Sequence, residues 1–247
     1  MLIEQAAYAS RWRRVSPAAK GAFALCGLVA AFAAASPGGG LVVALLLLAV
    51  SWLLARVPVG VYFRVAAPVL LFLAVGSLSL AVALGRDPAT GSLALQLAPD
   101  AAAQLSRLGA RSLGALAALL LLVLTTPLPD LIALLRRLNM PELLLDLMVL
   151  CYRMLFVFSA AVHDTLTAQS ARLGYATPRL ALRSLAGLVA NLAVQLWQRA
   201  YALHTAAQAR NNDGPLRFLA RRFDHAGRDT ALALAAGLVL IVVGRVA

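Results

Sequence analysis

At 247 residues, with 62% hydrophobic and only 13% charged side chains, the chain lies far outside soluble globular usage and reads as an all-α integral membrane protein. Its net charge is +12, and every basic residue except Lys20 is an arginine, but long apolar runs separate the charges and no aromatic–basic recognition pattern accompanies them. That excludes a nucleic-acid partner. Cys26 and Cys151 sit alone in apolar segments, which excludes a disulfide framework and a thiolate metal site.

A membrane helix needs about 20 mostly apolar residues. In chain order the candidates are 21–36, 41–56, 59–84, 108–126 and 230–246, five spans, or six if part of the region between the last two also enters the bilayer. A basic arm precedes the first, with Arg11, Arg13, Arg14 and Lys20. We read the first apolar run as an uncleaved membrane helix rather than a signal peptide. The SPGGG stretch at Ser36 predicts a tight turn between the first two spans, and Pro68 sits inside the third. Arg56 and Arg64 flank the next short loop, whereas the loop 85–100 sets Arg86 against Asp87 and Asp100. The arginine bias therefore puts the N-terminus in the cytoplasm.

Between residues 127 and 228 the character changes. Twelve arginines against six acids leave +6 over about a hundred residues that are still rich in Leu and Ala. Such charging is costly inside a bilayer. We therefore divide the chain into an arm with four spans at 1–126, a cytoplasmic-facing module of long helices at 127–228, and a final span at 229–247. Asp130 is a candidate cap for a short helix ending near Asn139. Pro141 opens a long helix running to Gly174, and Pro178 opens another running to Arg210. Each long helix spans about 45 Å.

The two long helices end alike, in AQSAR and AAQAR. Ala168 and Ala171 precede Arg172, and Ala206 and Ala209 precede Arg210. Small residues three apart let another backbone approach closely, and an arginine at a helix tip offers a planar fork of donors to a carboxylate or carbonyl cluster. These paired tips resemble the Ala-Arg-Gly signatures of energy-coupling-factor (ECF) transporter T components. The stretch TTPLPDLIALLRRLNMPELLLDLMVLCYRMLFVF, with ARLGY and RSLAGLVANL after it, resembles the cobalt-type CbiQ family.

The resemblance implies a non-catalytic energy-coupling subunit of an ABC-type importer in the bacterial inner membrane, most specifically for cobalt. It implies as partners two cytoplasmic ATPase subunits forming a homodimer, a substrate-specific membrane S component, and the bilayer. Ala171, Arg172 and Gly174 would dock on one ATPase, and Ala209, Arg210 and Gly214 on the other. Ala168 and Ala206 would let the helices cross. ATP and magnesium would be held by the ATPases, and cobalt or nickel by the S component. The family's glycine after arginine is replaced here by Leu173 and Asn211, so Gly174 and Gly214 are the expected suppliers of the left-handed turns.

Two other classes compete. A CDP-alcohol phosphatidyltransferase also carries an Ala-Arg step, but it needs aspartates bunched on facing helices, and here the acids are scattered. A self-contained channel or carrier is the other. No phosphate-binding loop or His-Glu-x-x-His motif occurs, and His163, His204 and His225 read as polar groups on wet helix faces rather than metal ligands.

Overall fold

The computed structural model describes residues 2–86, 93–97, 101–211, 223 and 225–246. Its helices are α1 (Leu2–Ala9), α2 (Pro17–Ala33), α3 (Pro37–Ala49), α4 (Val59–Ala81), α5 (Ala101–Thr125), α6 (Leu128–Arg137), α7 (Glu142–Ala171), α8 (Pro178–Ala209) and α9 (Ala226–Val246). One short antiparallel pair, β1 (Val82–Arg86) and β2 (Leu93–Leu97), follows α4, with Leu84 opposite Leu95. The chain divides into two compact units, Met1–Leu134 with Arg221–Ala247, and Leu135–Ala220.

In the first unit α5 is central. Phe23, Ala30 and Ala31 of α2, Val43 and Leu47 of α3, Ala117, Ala118 and Leu121 of α5, and Leu240 of α9 form one buried cluster. A second joins Ala6 of α1, Tyr62 and Ala66 of α4, and Leu120 and Leu124 of α5. Without a hydrophobic drive between helices in lipid, close approach depends on small residues. A Cβ on Gly114 of α5 would lie 2.6 Å from Ala31 Cβ, and one on Gly40 would lie 3.0 Å from Ala110 Cβ. On α9, a Cβ at Gly237 would meet Cys26 Cβ at 2.5 Å, and one at Gly244 would meet Val43 at 2.9 Å. The final helix therefore closes against α2 and α3 through glycine.

Gly237→Val is expected to lower stability by about 1–3 kcal/mol through overpacking. Gly76, which has open space around it, should tolerate Val with a far smaller loss. Thermal midpoints of the two detergent-purified variants check this contrast.

Several elements depart from the sequence expectation. The tight turn between the first two spans lies at 34–36 rather than over SPGGG, and Ser36 caps α3, accepting from Gly39 N–H at 2.9 Å, with Pro37 at the first helical position. The glycines of SPGGG are thus the first turn of the helix, and Gly40 is there for contact with α5. Likewise Ser16 caps α2, accepting from Ala19 N–H at 3.3 Å. The helix starts four residues before the expected span, and Lys20 belongs to it rather than to the arm. Lys20 is buried, and its ammonium donates to the Thr125 carbonyl at 2.9 Å. A cation there suits the negative C-terminal end of α5.

The second span ends in a wider turn, Val50–Leu54, where Ala55 N–H reaches back to Val50 C=O at 3.1 Å. Ser51 Oγ–H occupies the Leu47 carbonyl at 2.8 Å, which loosens the regular ladder. α4 runs through Pro68 and stops at Ala81, before the expected end at Leu84. Gly85 and Pro88, poor helix residues, follow close by. Asp130 is not a cap but lies inside the first turn of α6, where an acid still suits the positive end.

Among the described residues six helices are long and apolar enough to cross a membrane, counting α3 with its terminal turn, α4, α5, α7, α8 and α9. α2, with 17 residues, is apolar but shorter. α8 carries no charge between Arg183 and Arg199, and α7 carries only Arg153 between Asp146 and Asp164, so both helices contain apolar stretches that the averaged charge of the region conceals.

Candidate functional site: two matched helix tips

The second unit is built from two long helices joined by a tight corner. α7 ends at Ala171, with Arg172 as the cap residue at φ −93° and ψ 15°. α8 ends at Ala209, with Arg210 as the cap residue at φ −100° and ψ 9°. The residue after each arginine is left-handed, Leu173 at φ 57° and Asn211 at φ 49°. The bonding repeats as well. Arg172 and Leu173 N–H donate to the Gln169 and Ser170 carbonyls at 3.2 and 3.0 Å, and Arg210 and Asn211 N–H to the Ala207 and Gln208 carbonyls at 3.1 and 3.0 Å. Both arginines are exposed.

The left-handed turn is therefore made by Leu173 and Asn211 themselves, against the expectation that Gly174 supplies it. Gly214 lies outside the described residues. Gly174 N–H donates to the Gln169 carbonyl at 2.9 Å, which with the Leu173–Ser170 bond completes a Schellman motif. Gly174 is needed for space. A Cβ there would lie 2.7 Å from Ser184 Oγ and 2.9 Å from the Gln169 carbonyl oxygen. Asparagine tolerates the left-handed region, whereas leucine is strained there by roughly 1–2 kcal/mol. Leu173→Gly is expected to stabilise the corner by about 1 kcal/mol, because the side chain is 72% exposed and little packing is lost. Hydrogen exchange of the amides at 169–174 measures the gain.

Three residues that the sequence reading passed over lock the first corner. Gln169 Nε2 donates to the Ser184 carbonyl at 3.0 Å, Tyr175 Oη donates to Gln169 Oε1 at 2.7 Å, and Ser184 Oγ donates to the Gly174 carbonyl at 2.9 Å. Thr177 then caps α8, accepting from Leu180 N–H at 3.3 Å, with Pro178 at its first position. The signal was present in AQSARLGY, since a glutamine three residues before the arginine is within reach of the corner. Its partner Ser184 stands fifteen residues away, out of view of a local motif.

Ala168 and Ala206 are exposed, as is the surface around them. Large apolar side chains also stand out along both helices, among them Leu143, Leu147 and Leu155 on α7 and Val189, Trp197 and Tyr201 on α8. Only 11% of the apolar window of α7 and 6% of that of α8 are buried inside the chain, against 44% for α5. These faces are built to be covered by lipid or by another protein. His163, His204 and His225 are exposed. Among the described residues no group of three or more His, Cys, Asp or Glu side chains could hold a metal ion.

Comparison with known proteins bears on the same stretch. The family model described as "Cobalt transport protein", CbiQ, matches residues 9–218. The chain is 35% identical to the cobalt transport protein CbiQ of Rhodobacter capsulatus over 238 residues, covering 96% of this chain and 93% of that protein. It is 30% identical to CbiQ of Salmonella typhimurium over 205 residues, 80% of this chain and 90% of that one. A putative fused cobalt transport protein CbiMQ of Methanocorpusculum labreanum matches at 35% over 107 residues, 42% of this chain and 17% of that protein. With its spanning helices and a match over most of its length, the chain is a multi-pass membrane protein belonging to the CbiQ family of cobalt transport proteins.

Proposed function

We propose that this chain is the energy-coupling T subunit of an ECF-type importer in the bacterial inner membrane, with its N-terminus in the cytoplasm and cobalt ion as the cargo of the complex. The observation that carries the reading is the matched termination of α7 and α8, each presenting an exposed arginine on a defined turn. Two cytoplasmic ATPase subunits, which bind ATP and magnesium, each accept one tip. Arg172, with Ala171 and Gly174 behind it, enters an acidic groove on one. Arg210, with Ala209, enters the other, and Gly214 belongs to the same segment. A charge-assisted, bidentate contact gives each tip a fixed orientation.

The apolar faces of α7 and α8 contact lipid and a substrate-capturing membrane partner, and the exposed small residues Ala168 and Ala206 let helices of the assembled complex cross closely near each tip. The family name of a fused relative, CbiMQ, supports a second membrane component working beside a chain of this type. Motion of the ATPases then displaces rigid helices rather than a flexible loop, and the locked corner at Gln169, Tyr175 and Ser184 keeps the α7 tip from swivelling. Catalysis lies in the partners, and the cargo ion is bound by the membrane partner.

The test is the set of polypeptides retained when the tagged chain is purified from a mild detergent extract. A nucleotide-binding ATPase pair with one small membrane protein is the expected set. If Arg172→Ala, Arg210→Ala and the double variant retain ATPases as wild type does, the docking role is wrong.

A further inference from the structure

Between α1 and α2 the chain makes a single tight turn, Arg11–Arg14, of sequence RWRR. Arg11, Arg13 and Arg14 are exposed, and with Ser10 they line a cavity of about 590 Å³. That volume is within the range of small-ligand sites. We propose that this cavity is a headgroup site for an anionic phospholipid of the cytoplasmic leaflet. The proposal rests on the membrane placement and orientation of the chain and is independent of the coupling role.

The turn is held by the fold rather than by its own charges. Ser10 is buried and its Oγ donates to the Ala7 carbonyl at 3.1 Å. Arg13 N–H donates to the Ser10 carbonyl at 3.2 Å, Val15 N–H to the Trp12 carbonyl at 2.9 Å, and Arg11 N–H to the Ala55 carbonyl at 3.2 Å. Trp12 points inward, edge-on to Phe23 at 6.4 Å between ring centroids, and so the neighbouring arginines turn outward. The Arg13 guanidinium lies over the Tyr8 ring, 4.9 Å from its centroid, a cation–π contact that fixes the side chain. Three guanidinium forks are thus presented on a rigid backbone, which suits a phosphodiester.

Among the described residues no carboxylate lines the cavity. Glu4 and Asp130 act on Tyr8, over whose ring Arg13 lies. Burial first, then Glu4 and Asp130, push the Tyr8 phenol up from its ordinary value, and Arg13 opposes them. Exposed apolar side chains flank the basic turn, which favours a lipid over a free anion. Ile3 and Tyr8 stand out from α1, whose Ala6 and Ala7 are buried, and Leu53 and Leu54 precede the Ala55 that anchors Arg11. A headgroup at the arginines would leave its acyl chains beside these residues.

The test reconstitutes the full chain in vesicles of equal parts phosphatidylglycerol and phosphatidylcholine, re-extracts it in mild detergent, and counts retained lipid by native mass spectrometry. Wild type is expected to retain phosphatidylglycerol preferentially, with the preference falling roughly fivefold for each arginine replaced by glutamine. Arg14→Gln gives that reading alone if the triple Arg→Gln variant fails to fold. Equal retention of the two lipids by wild type, or an unchanged preference in the variants, overturns the proposal. So does complete displacement of phosphatidylglycerol by an equal concentration of inorganic phosphate, which would identify a free-anion site.

Discussion

Arg172→Glu is expected to abolish stable association with the ATPase pair while leaving membrane insertion and the fold of the chain intact. The arginine is exposed at a helix tip, and among the described residues none is held by a hydrogen bond from its side chain, so within the chain the variant gives up only a favourable charge at the negative end of α7, about 0.3–1 kcal/mol. Under the proposed docking, what it loses lies across the interface with the ATPase. Removing one partner of a buried, hydrogen-bonded charge pair costs about 2–5 kcal/mol, on the order of 30-fold in affinity at least, and reversal adds like-charge repulsion against an acidic groove. Arg172→Ala should therefore be weaker than wild type and Arg172→Glu weaker still. Titration of the purified ATPases onto the chain in nanodiscs gives the two dissociation constants. Equal affinities for wild type and Arg172→Glu would remove Arg172 from the interface.

Gly174→Val should produce the second large effect, by a different route. Its side chain would press on the Gln169 carbonyl, part of the backbone that closes α7, and on Ser184 Oγ. The Ser184–Gly174 and Gln169–Ser184 hydrogen bonds cannot both survive that displacement. The loss is about 3 kcal/mol from overpacking and broken bonds together. Arg172 itself is untouched, so ATPase binding should fall only because its tip is no longer oriented. Gly174→Ala should be milder, and milder again in a Ser184→Ala background, where the hydroxyl clash is gone and only the carbonyl contact remains. Hydrogen exchange across 169–184, measured beside ATPase affinity, separates the corner from the docking contact. A Gly174→Val chain with wild-type protection there would refute the packing argument.

The repeated Ala-x-x-Ala-Arg step and the prolines at 141 and 178 were legible because helix ends are written locally, in caps and breakers. α8 accordingly begins at Pro178 as expected and ends one residue early, and α7 begins one residue after Pro141 and ends three residues before Gly174. What escaped was whatever depends on a distant partner. Gly174 looked like a source of conformational freedom, yet its requirement comes from Ser184, ten residues on. Lys20 looked like one more flanking charge, yet it caps α5 from across the unit at Thr125. The SPGGG glycines looked like a turn, yet they open α3, with Gly40 fitted to Ala110. Charge averaged over a hundred residues also hid the apolar stretches of α7 and α8, because the arginines of the turns and of residues 217–228 were counted together with the single Arg153 inside α7.

The central claim, that the two tips engage ATPase subunits, is tested most directly by placing a photo-crosslinking amino acid at Leu173 and, separately, at Asn211 in the chain expressed with its native partners. Both positions are exposed and adjoin the arginines. The expected result is a crosslinked product containing an ATPase subunit from each position, with none from a probe at the exposed Leu232 of α9. Crosslinks from both tips only to lipid or to a membrane protein would contradict the account.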